Sequence, residues 1–533
     1  MADTLQQLLR ERIDDDAPAV KCGDRVWSWR EHLADASATA AALIGIADPK
    51  RPLHVGALLG NTPEMLVAMA AAALGGYVLC GINDTRRGGA LARDILRADC
   101  QILLTDPVHR GLLDGLDLPG VRVLDVSSPD WSGLLAAAGA LTPYREVAPT
   151  DTFMMIFTSG TSGEPKAVRV THLTVLFAGA SLIERFGVDA SDVCYLSMPL
   201  FHSNALLAGW SVAVGSGAAM VPATFSASGL LADLRRYGAT YMNYVGKPLA
   251  YVLATPEQPD DRDNPLKVAF GNEASDRDIA EFSRRFDCTV WDGFGSTEGA
   301  IIITREDGCP PGSLGRGFPG VGIYNPETLT ECPPAVFDDE GALINGEEAI
   351  GELVNTSGAG LFAGYYNDQE ATDARLRNGM FWSGDLAYRD AEGWIYFAGR
   401  SGDWLRVDGE NMTTAPIERI LQRLPAVSQV AVYAVPDEHV GDQVMAALVL
   451  ADHAELTPGE LGEFLAAQHD LSPKAWPRHV WITDKLPSTA TNKILKRELR
   501  AQGPTPEGGL LWTRVGRDQA YTAVNRRAGN APA

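Results

Sequence analysis

The chain has 533 residues, 46% hydrophobic and 21% charged, a globular balance with material for two to four domains rather than one. A formal charge of −23 opposes a phosphate backbone and argues against a broad nucleic-acid interface, although a small anion can still be held by local cations and backbone N–H groups. The seven cysteines are dispersed without CxxC spacing, which argues against a disulfide framework or a zinc site and suits a reducing cytoplasm.

The first segment, MADTLQQLLRERIDDD, is charged and has no apolar signal core. HVGALL, TPEMLVAMAAAAL, YVLCGI, ALARDILRAD and QILLTD then read as strand, helix, strand, helix and strand, the pattern of parallel βαβ units. Within them Met65–Ile82 is uncharged and long enough to raise the question of a membrane span. Its Ala and Gly content, with Gly75-Gly76 ahead of YVLCGI, predicts instead a buried helix, a turn and a buried strand. No integral span is expected.

A second α/β series begins at Thr152 with TFMMIF and a Gly/Ser/Thr loop, expected to lead into a helix at THLTVLFAGASLIERF. It continues through VCYLSMPL to CTVWDGFG. From about Val321 to Asp385 short strands and turns predict a β-rich subdomain, with ECPPAVFDDEGALINGEEA as an acidic surface loop. After Arg400 comes SGDWLRVDGENMTTAPIE, then a compact alternation predicting a small α+β domain, and finally a Pro/Gly/Arg-rich tail expected to pack loosely. The predicted boundaries are 1–400, 401–505 and 506–533. The fold class is α/β: a large N-terminal domain of doubly wound layers plus a β-rich subdomain, then a small mobile α+β C-terminal domain.

The strongest local signal is Thr158-Ser159-Gly160-Thr161-Ser162-Gly163-Glu164-Pro165-Lys166. Its backbone N–H groups and hydroxyls can converge on phosphate oxygens, and Lys166 adds a cation. The glycine spacing and Ala167 after the lysine exclude the GxxxxGK[ST] loop. No HExxH and no GxSxG is present, so metal-hydrolase and serine-hydrolase readings have no support.

IFTSGTSGEPKAV resembles the signature phosphate loop of the adenylate-forming superfamily of acyl-CoA synthetases, peptide-synthetase adenylation domains and luciferases. DGFGSTEG, SGDLAY, GRSGDW and PSTATNKILKREL resemble four further motifs of that family, in its order, from about Thr152 to Leu499. The resemblance implies that Phe294, between Gly293 and Gly295, stacks on adenine, and that Asp292 with Gly271, Asn272 and Glu273 faces the base edge. Thr297 is implied to reach a phosphate, Glu298 to ligate Mg²⁺ as a hard oxygen donor, and Asp385 and Arg400 to hold the ribose.

Lys493 is the implied catalytic lysine, acting with Lys166, Thr297 and Glu298 on acyl-AMP formation. Gly402 and Asp403 are the implied hinge, and Gly409 the implied wall of the CoA tunnel; Arg406 and Asn411 are weaker candidates for polar contacts. Phe201, His202 and Asn204, in PLFHSNALLAGW, are assigned with Val245 and Gly246 to the acyl group. Gly402, Asn492 and Ser488 depart from the family's usual residues and put hinge kinetics in doubt.

Within the superfamily, PLFHSN, NYVGKPLAYVL, FGN and DGENMTTAPIE resemble very-long-chain acyl-CoA synthetases, fatty-acid transport proteins and actinobacterial fatty-acid or steroid side-chain CoA ligases. The implied activity converts a hydrophobic carboxylic acid, ATP and CoA to acyl-CoA, AMP and pyrophosphate with Mg²⁺, in the cytoplasm. A peripheral membrane contact and a homodimer stay open. A ligase that loads an acyl carrier protein shares every nucleotide motif and is the alternative; a non-catalytic nucleotide-binding or fatty-acid uptake protein is the alternative of another class.

Overall fold

The structure, a computed structural model, describes residues 2–158, 165–339, 341–400, 404–407, 410–437, 441–489, 494–515 and 518–524. The chain divides into two compact units, Met1–Ile302 with Ser357–Phe381, and Ile303–Thr356 with Trp382–Ala533.

The first unit holds two sheets. One is built from β1 (Pro18–Cys22), β2 (Arg25–Ser28), β9 (Val193–Leu196), β10 (Ala219–Pro222), β11 (Tyr241–Val245), β12 (Val268–Asn272) and β13 (Thr289–Gly295), in the order β2-β1-β10-β9-β11-β12-β13. All its pairs but β1–β2 are parallel. The other contains β3 (His54–Leu58), β4 (Val78–Gly81), β5 (Ile102–Thr105), β6 (Arg122–Asp125), β7 (Thr152–Thr158) and β8 (Lys166–Thr171), in the order β6-β5-β3-β4-β7-β8. Central strands such as VLCG and ILLT are buried at every position, as parallel strands covered on both faces must be.

The uncharged run at Met65–Ile82 folds as its composition predicts. The helix Pro63–Gly75 starts with proline in its first turn and ends at Gly76, whose φ of 70° no β-carbon would favour. Every residue from Met65 to Gly75 except Val67 is buried, and β4 follows at once. Burying Met65, Leu66, Met69 and Leu74 contributes roughly 1.5–3 kcal/mol each. Among the described residues no helix is long and apolar enough to cross a membrane.

The helix His172–Phe186 touches both sheets: His172 lies 5.5 Å from the Phe153 ring of β7, and Phe186 lies 6.4 and 5.7 Å from Tyr241 and Phe270. A second helical stretch runs through Ser203–Ala205, a π-turn at Leu206–Trp210, and Ser211–Ser216. Trp210 is fully buried and stacks on Phe153 at 5.5 Å with the rings 12° apart.

The β-rich part contains Val321–Tyr324, antiparallel to Gly351–Asn355, and, within Met380–Arg389, the second unit's residues from Trp382 on, antiparallel to Ile395–Arg400. The acidic segment expected as a surface loop is anchored there, because Ala335, Ala349 and Ile350 share a core with Leu386, Tyr388 and Ala398. The C-terminal part pairs Val427–Asp437 with Gly441–Leu450, and His479–Ile482 extends that sheet. The tail also differs from expectation. Leu510–Thr513 pairs with His479–Ile482, and Leu511, Trp512 and Tyr521 are buried, so its apolar residues close the sheet's edge rather than pack loosely.

Candidate active site at the carboxyl ends of three parallel strands

β11, β12 and β13 run parallel, with Tyr244 paired to Gly271, Val245 to Asn272, and Gly271 to Asp292. Register alone therefore brings the GNE and DGFG segments to one sheet edge, the carboxyl edge where open α/β folds bind ligands. A β-carbon on Gly271 would lie 2.2 Å from the Tyr244 carbonyl oxygen and 2.5 Å from the Tyr244 ring. Only glycine lets the two strands meet with that ring between them. The Tyr244 hydroxyl donates to Asp292 Oδ1 at 2.8 Å and fixes a carboxylate that is itself only 8% exposed. Glu273, next in line, has a φ of 65°, left-handed backbone that glutamate rarely adopts. Sequence reading found Gly271, Asn272, Glu273 and Asp292 but missed Tyr244, because a strand tyrosine carries no local mark of a hydroxyl directed across two strands.

Asn272 donates its amide to the Gly293 carbonyl at 2.6 Å. Asn204, assigned from sequence to the acyl group, is turned to the same strand ends, donating to the Tyr244 carbonyl and to Asn272 Oδ1 at 3.1 Å each. Thr297 donates its hydroxyl to Ser203 Oγ at 2.9 Å. His202, one residue earlier, has a buried Nε2 without a hydrogen-bond partner, and burial lowers its pKa to about 4, so the ring is neutral at pH 7. Its ring centroid is 4.6 Å from that of buried Phe201. Val245 ends β11, and Gly246 after it has a φ of 66° and donates its N–H to the Asn272 carbonyl at 2.7 Å.

The phosphate loop lies in a different setting from the one its flanks suggest. Lys166–Thr171 is a strand, antiparallel to β7, with Thr158 paired to Lys166. A strand therefore stands between this segment and the next helix, which starts at His172. The branched Val168 and Val170 suit a strand and are buried in it, as is Ala167. Ser159, Gly160, Thr161, Ser162 and Gly163 lie outside the described residues.

Residues 364–366 run beside β8: Arg169 donates its N–H to the Gly364 carbonyl at 3.1 Å, and Tyr366 donates to Ala167 at 2.8 Å. That register carries Tyr365 to the site. Its hydroxyl donates to Glu298 Oε1 at 2.8 Å, and Lys166 Nζ lies 5.1 Å from its ring centroid. Burial, then the Glu298 charge, raises the Tyr365 pKa, so the phenol stays a donor. Tyr365 was also missed from sequence, where only long-range pairing places it near Glu298.

In the second unit, Asp385 and Arg400 are direct cross-strand partners, with Arg400 Nε 3.4 Å from Asp385 Oδ1. Glu352 accepts the Gly384 N–H at 2.6 Å and Ser383 Oγ accepts that of Asp385 at 3.0 Å, which fixes the turn at SGD. Lys493, Gly402, Asp403, Gly409 and Asn492 lie outside the described residues, as do the side chains of Arg406 and Asn411. Just past Lys493, Ile494 bridges to Ser488, and Lys496 Nζ contacts Glu418 Oε1 and Thr414 Oγ1 at 2.8 Å each.

Parallel register thus brings Gly271–Glu273 and the glycine-flanked Asp292 and Phe294 to one carboxyl edge of the sheet, a candidate nucleotide site. The chain belongs to the AMP-binding enzyme family: residues 10–366 match the family's main domain and 416–493 its C-terminal domain. It is 50% identical over 502 residues to a medium/long-chain-fatty-acid–CoA ligase, FadD17, of Mycobacterium marinum, covering 94% of this chain and 96% of the relative. It is 44% identical to a steroid-22-oyl-CoA synthetase of Rhodococcus jostii, over 94% and 91% of the two chains. The fold matches crystalline ATP-bound MatB of Rhodopseudomonas palustris with a TM-score of 0.81 at 23% identity, over 94% of this chain and 99% of that one.

Proposed function

We propose that this chain is an acid–thiol ligase that converts a hydrophobic carboxylic acid to an acyl-AMP and then to an acyl-CoA. The observation that carries this reading is the convergence of Gly271–Glu273, Asp292–Gly295 and the Thr297–Glu298 pair at the carboxyl edge of β11–β13. Glycine-flanked Phe294 is assigned to stack on the planar base, with Asp292 at the base's edge. Asp385 and Arg400 are assigned to the ribose, and Lys166 with the Thr158–Gly163 loop to the phosphates.

Glu298 suits a magnesium ion. It is a hard oxygen donor, and Tyr365 restrains one of its oxygens. Bound there with ATP, Mg²⁺ would neutralise charge on the phosphates. The acid's carboxylate attacks the α-phosphorus, and pyrophosphate leaves with the bond electrons. Lys493 is assigned to the charge that develops as these oxygens crowd together. The CoA thiolate then attacks the acyl carbonyl, and AMP leaves; Gly402 and Asp403 are assigned to the hinge between the steps and Gly409 to the pantetheine path.

Phe201, His202, Val245 and Gly246 are assigned to the acyl group. A medium-to-long chain or a sterol side-chain acid is favoured by the names of the relatives at 44–50% identity and by the apolar Phe201 and Val245. Those names also favour CoA over a carrier protein as acceptor. The cytoplasm is favoured by seven free, scattered cysteines.

The test uses purified protein with ATP, Mg²⁺, CoA and a panel of acids from acetate to sterol side-chain acids, with products read by mass spectrometry. Acyl-CoA, AMP and pyrophosphate are expected together. Release of ADP and phosphate would sink the reaction class, and acetate outcompeting every longer acid would refute the apolar substrate.

A further inference from the structure

We infer that Ser203 and Asn204 serve the nucleotide and not the acyl group: they are positioning residues that set Thr297 and the strand edge at Gly271–Asn272. The inference rests on reading those residues as the nucleotide site.

Asn204 engages both N–H donors and the oxygen of its amide within the protein. Its Nδ2 donates to the Tyr244 carbonyl and to Asn272 Oδ1 at 3.1 Å each, and its Oδ1 accepts from Asn243 Nδ2 at 2.7 Å. An amide has two N–H donors, and both are engaged. Asn272 then passes the connection on to the Gly293 carbonyl, so one line of amides joins β11, the helix at Ser203, β12 and β13. Asn243 is fully buried and its Oδ1 already lacks a hydrogen-bond partner, so losing Asn204 would orphan its Nδ2 as well, at a cost of about 1–3 kcal/mol. The line depends on close packing at the π-turn. A β-carbon on Gly209 would come within 2.8 Å of both Asn243 Oδ1 and Leu196 Cδ2.

Ser203 acts on a different atom. Thr297 gives its one hydroxyl hydrogen to Ser203 Oγ at 2.9 Å. A phosphate oxygen is acceptor-only and needs that hydrogen. The Ser203 hydroxyl can turn and donate to Thr297 Oγ1, freeing Thr297 to donate to the phosphate; both protons stay on their own oxygens. Alanine at 203 would leave Thr297 free to rotate away from the position phosphate requires.

The two assignments separate in steady-state kinetics with ATP, CoA and dodecanoate. Ser203→Ala should raise KM for ATP by about 3–10-fold, the worth of one hydrogen bond. KM for dodecanoate and the ranking of C8 to C16 acids should stay as in the wild type, and Ser203→Thr should restore KM for ATP. Asn204→Ala should act in the same direction. Its thermal unfolding is measured alongside, and if it does not fold, Ser203→Ala decides alone. An unchanged KM for ATP in Ser203→Ala overturns the inference, as does an equal or larger rise in KM for dodecanoate or a shifted chain-length ranking. Thr297→Ala and Asp292→Ala distinguish the levels: if neither changes KM for ATP, the nucleotide reading itself fails, whereas an effect there with none at Ser203 removes only this inference.

Discussion

Tyr365 and Glu298, 67 residues apart in the chain, are joined by a hydrogen bond of 2.8 Å from the phenol to the carboxylate Oε1. A hydrogen bond to a charged group is worth about 1.5–3 kcal/mol, and here it restrains the carboxylate assigned to magnesium. Tyr365→Phe should therefore raise the Mg²⁺ concentration for half-maximal activity by at least about tenfold, with much of kcat recovered at saturating Mg²⁺. Titration of Mn²⁺ by electron paramagnetic resonance, with ATP present, should show the same weakening without turnover. Unaltered metal dependence in both assays would leave Tyr365 a packing residue only.

The assignment of Lys493 to adenylation predicts that its loss separates the two half-reactions. Removing one well-placed donor to developing charge costs about 10²–10³ in rate. Lys493→Ala should lose acyl-AMP formation by at least that factor. Supplied with synthetic acyl-AMP and CoA, the same variant should form acyl-CoA at close to the wild-type rate. Equal loss in both assays, or none in the first, removes the lysine from the adenylation step.

Gly271→Ala tests the approach of β11 and β12. The new methyl would meet the Tyr244 backbone oxygen at 2.2 Å, and a backbone atom cannot swing aside as a side chain can. Overpacking of this kind costs about 1–3 kcal/mol, and the displaced edge should weaken ATP binding. Gly295→Ala is the control for stability, since its nearest neighbour, the Ile301 oxygen, is 3.8 Å away. Denaturant midpoints should fall for the first variant and change little for the second; equal midpoints would contradict the packing argument.

Acid should destabilise the fold through three histidines. Burial lowers the pKa of His32, His172 and His202 from 6.5 to about 4. Above pH 6.5 these rings are largely neutral whether folded or unfolded and add no pH dependence. Below it the unfolded chain takes up protons that the folded state refuses, so stability falls with pH until the folded rings titrate near 4. At pH 5 each ring would cost on the order of 2 kcal/mol. Urea denaturation between pH 7 and 5 should show falling stability, with a shallower slope in His32→Gln. A slope unchanged by that substitution would exclude His32 as a contributor.

The parts of this molecule that announce themselves in sequence are those whose signal is local. The strand–helix–strand run from His54 to Thr105 folds as read, because alternating apolar blocks and a proline–glycine pair of helix ends suffice to specify it. Gly271–Glu273 and Asp292–Gly295 were recognisable as motifs, and parallel register brings them together. The strand Lys166–Thr171 was not read because the helix pattern from His172 is longer and stronger than the six residues before it. Asn204 was assigned to the acyl group from its place in an apolar run, where nothing local marks its three partners on β11 and β12.

The π-turn at Leu206–Trp210 is, in effect, a one-residue phase shift built into a helix. One residue advances a helix by about 100°, so the turns before and after it face different neighbours. Upstream, Asn204 addresses the ends of β11 and β12; at the end of the π-turn, Trp210 stacks on Phe153. A helix of uniform pitch could satisfy one of these and would rotate the other out of alignment. Deleting a single residue between Leu206 and Gly209 should therefore do more harm than its lost volume implies, since the protein would have to choose between its aromatic stack and its line of amides.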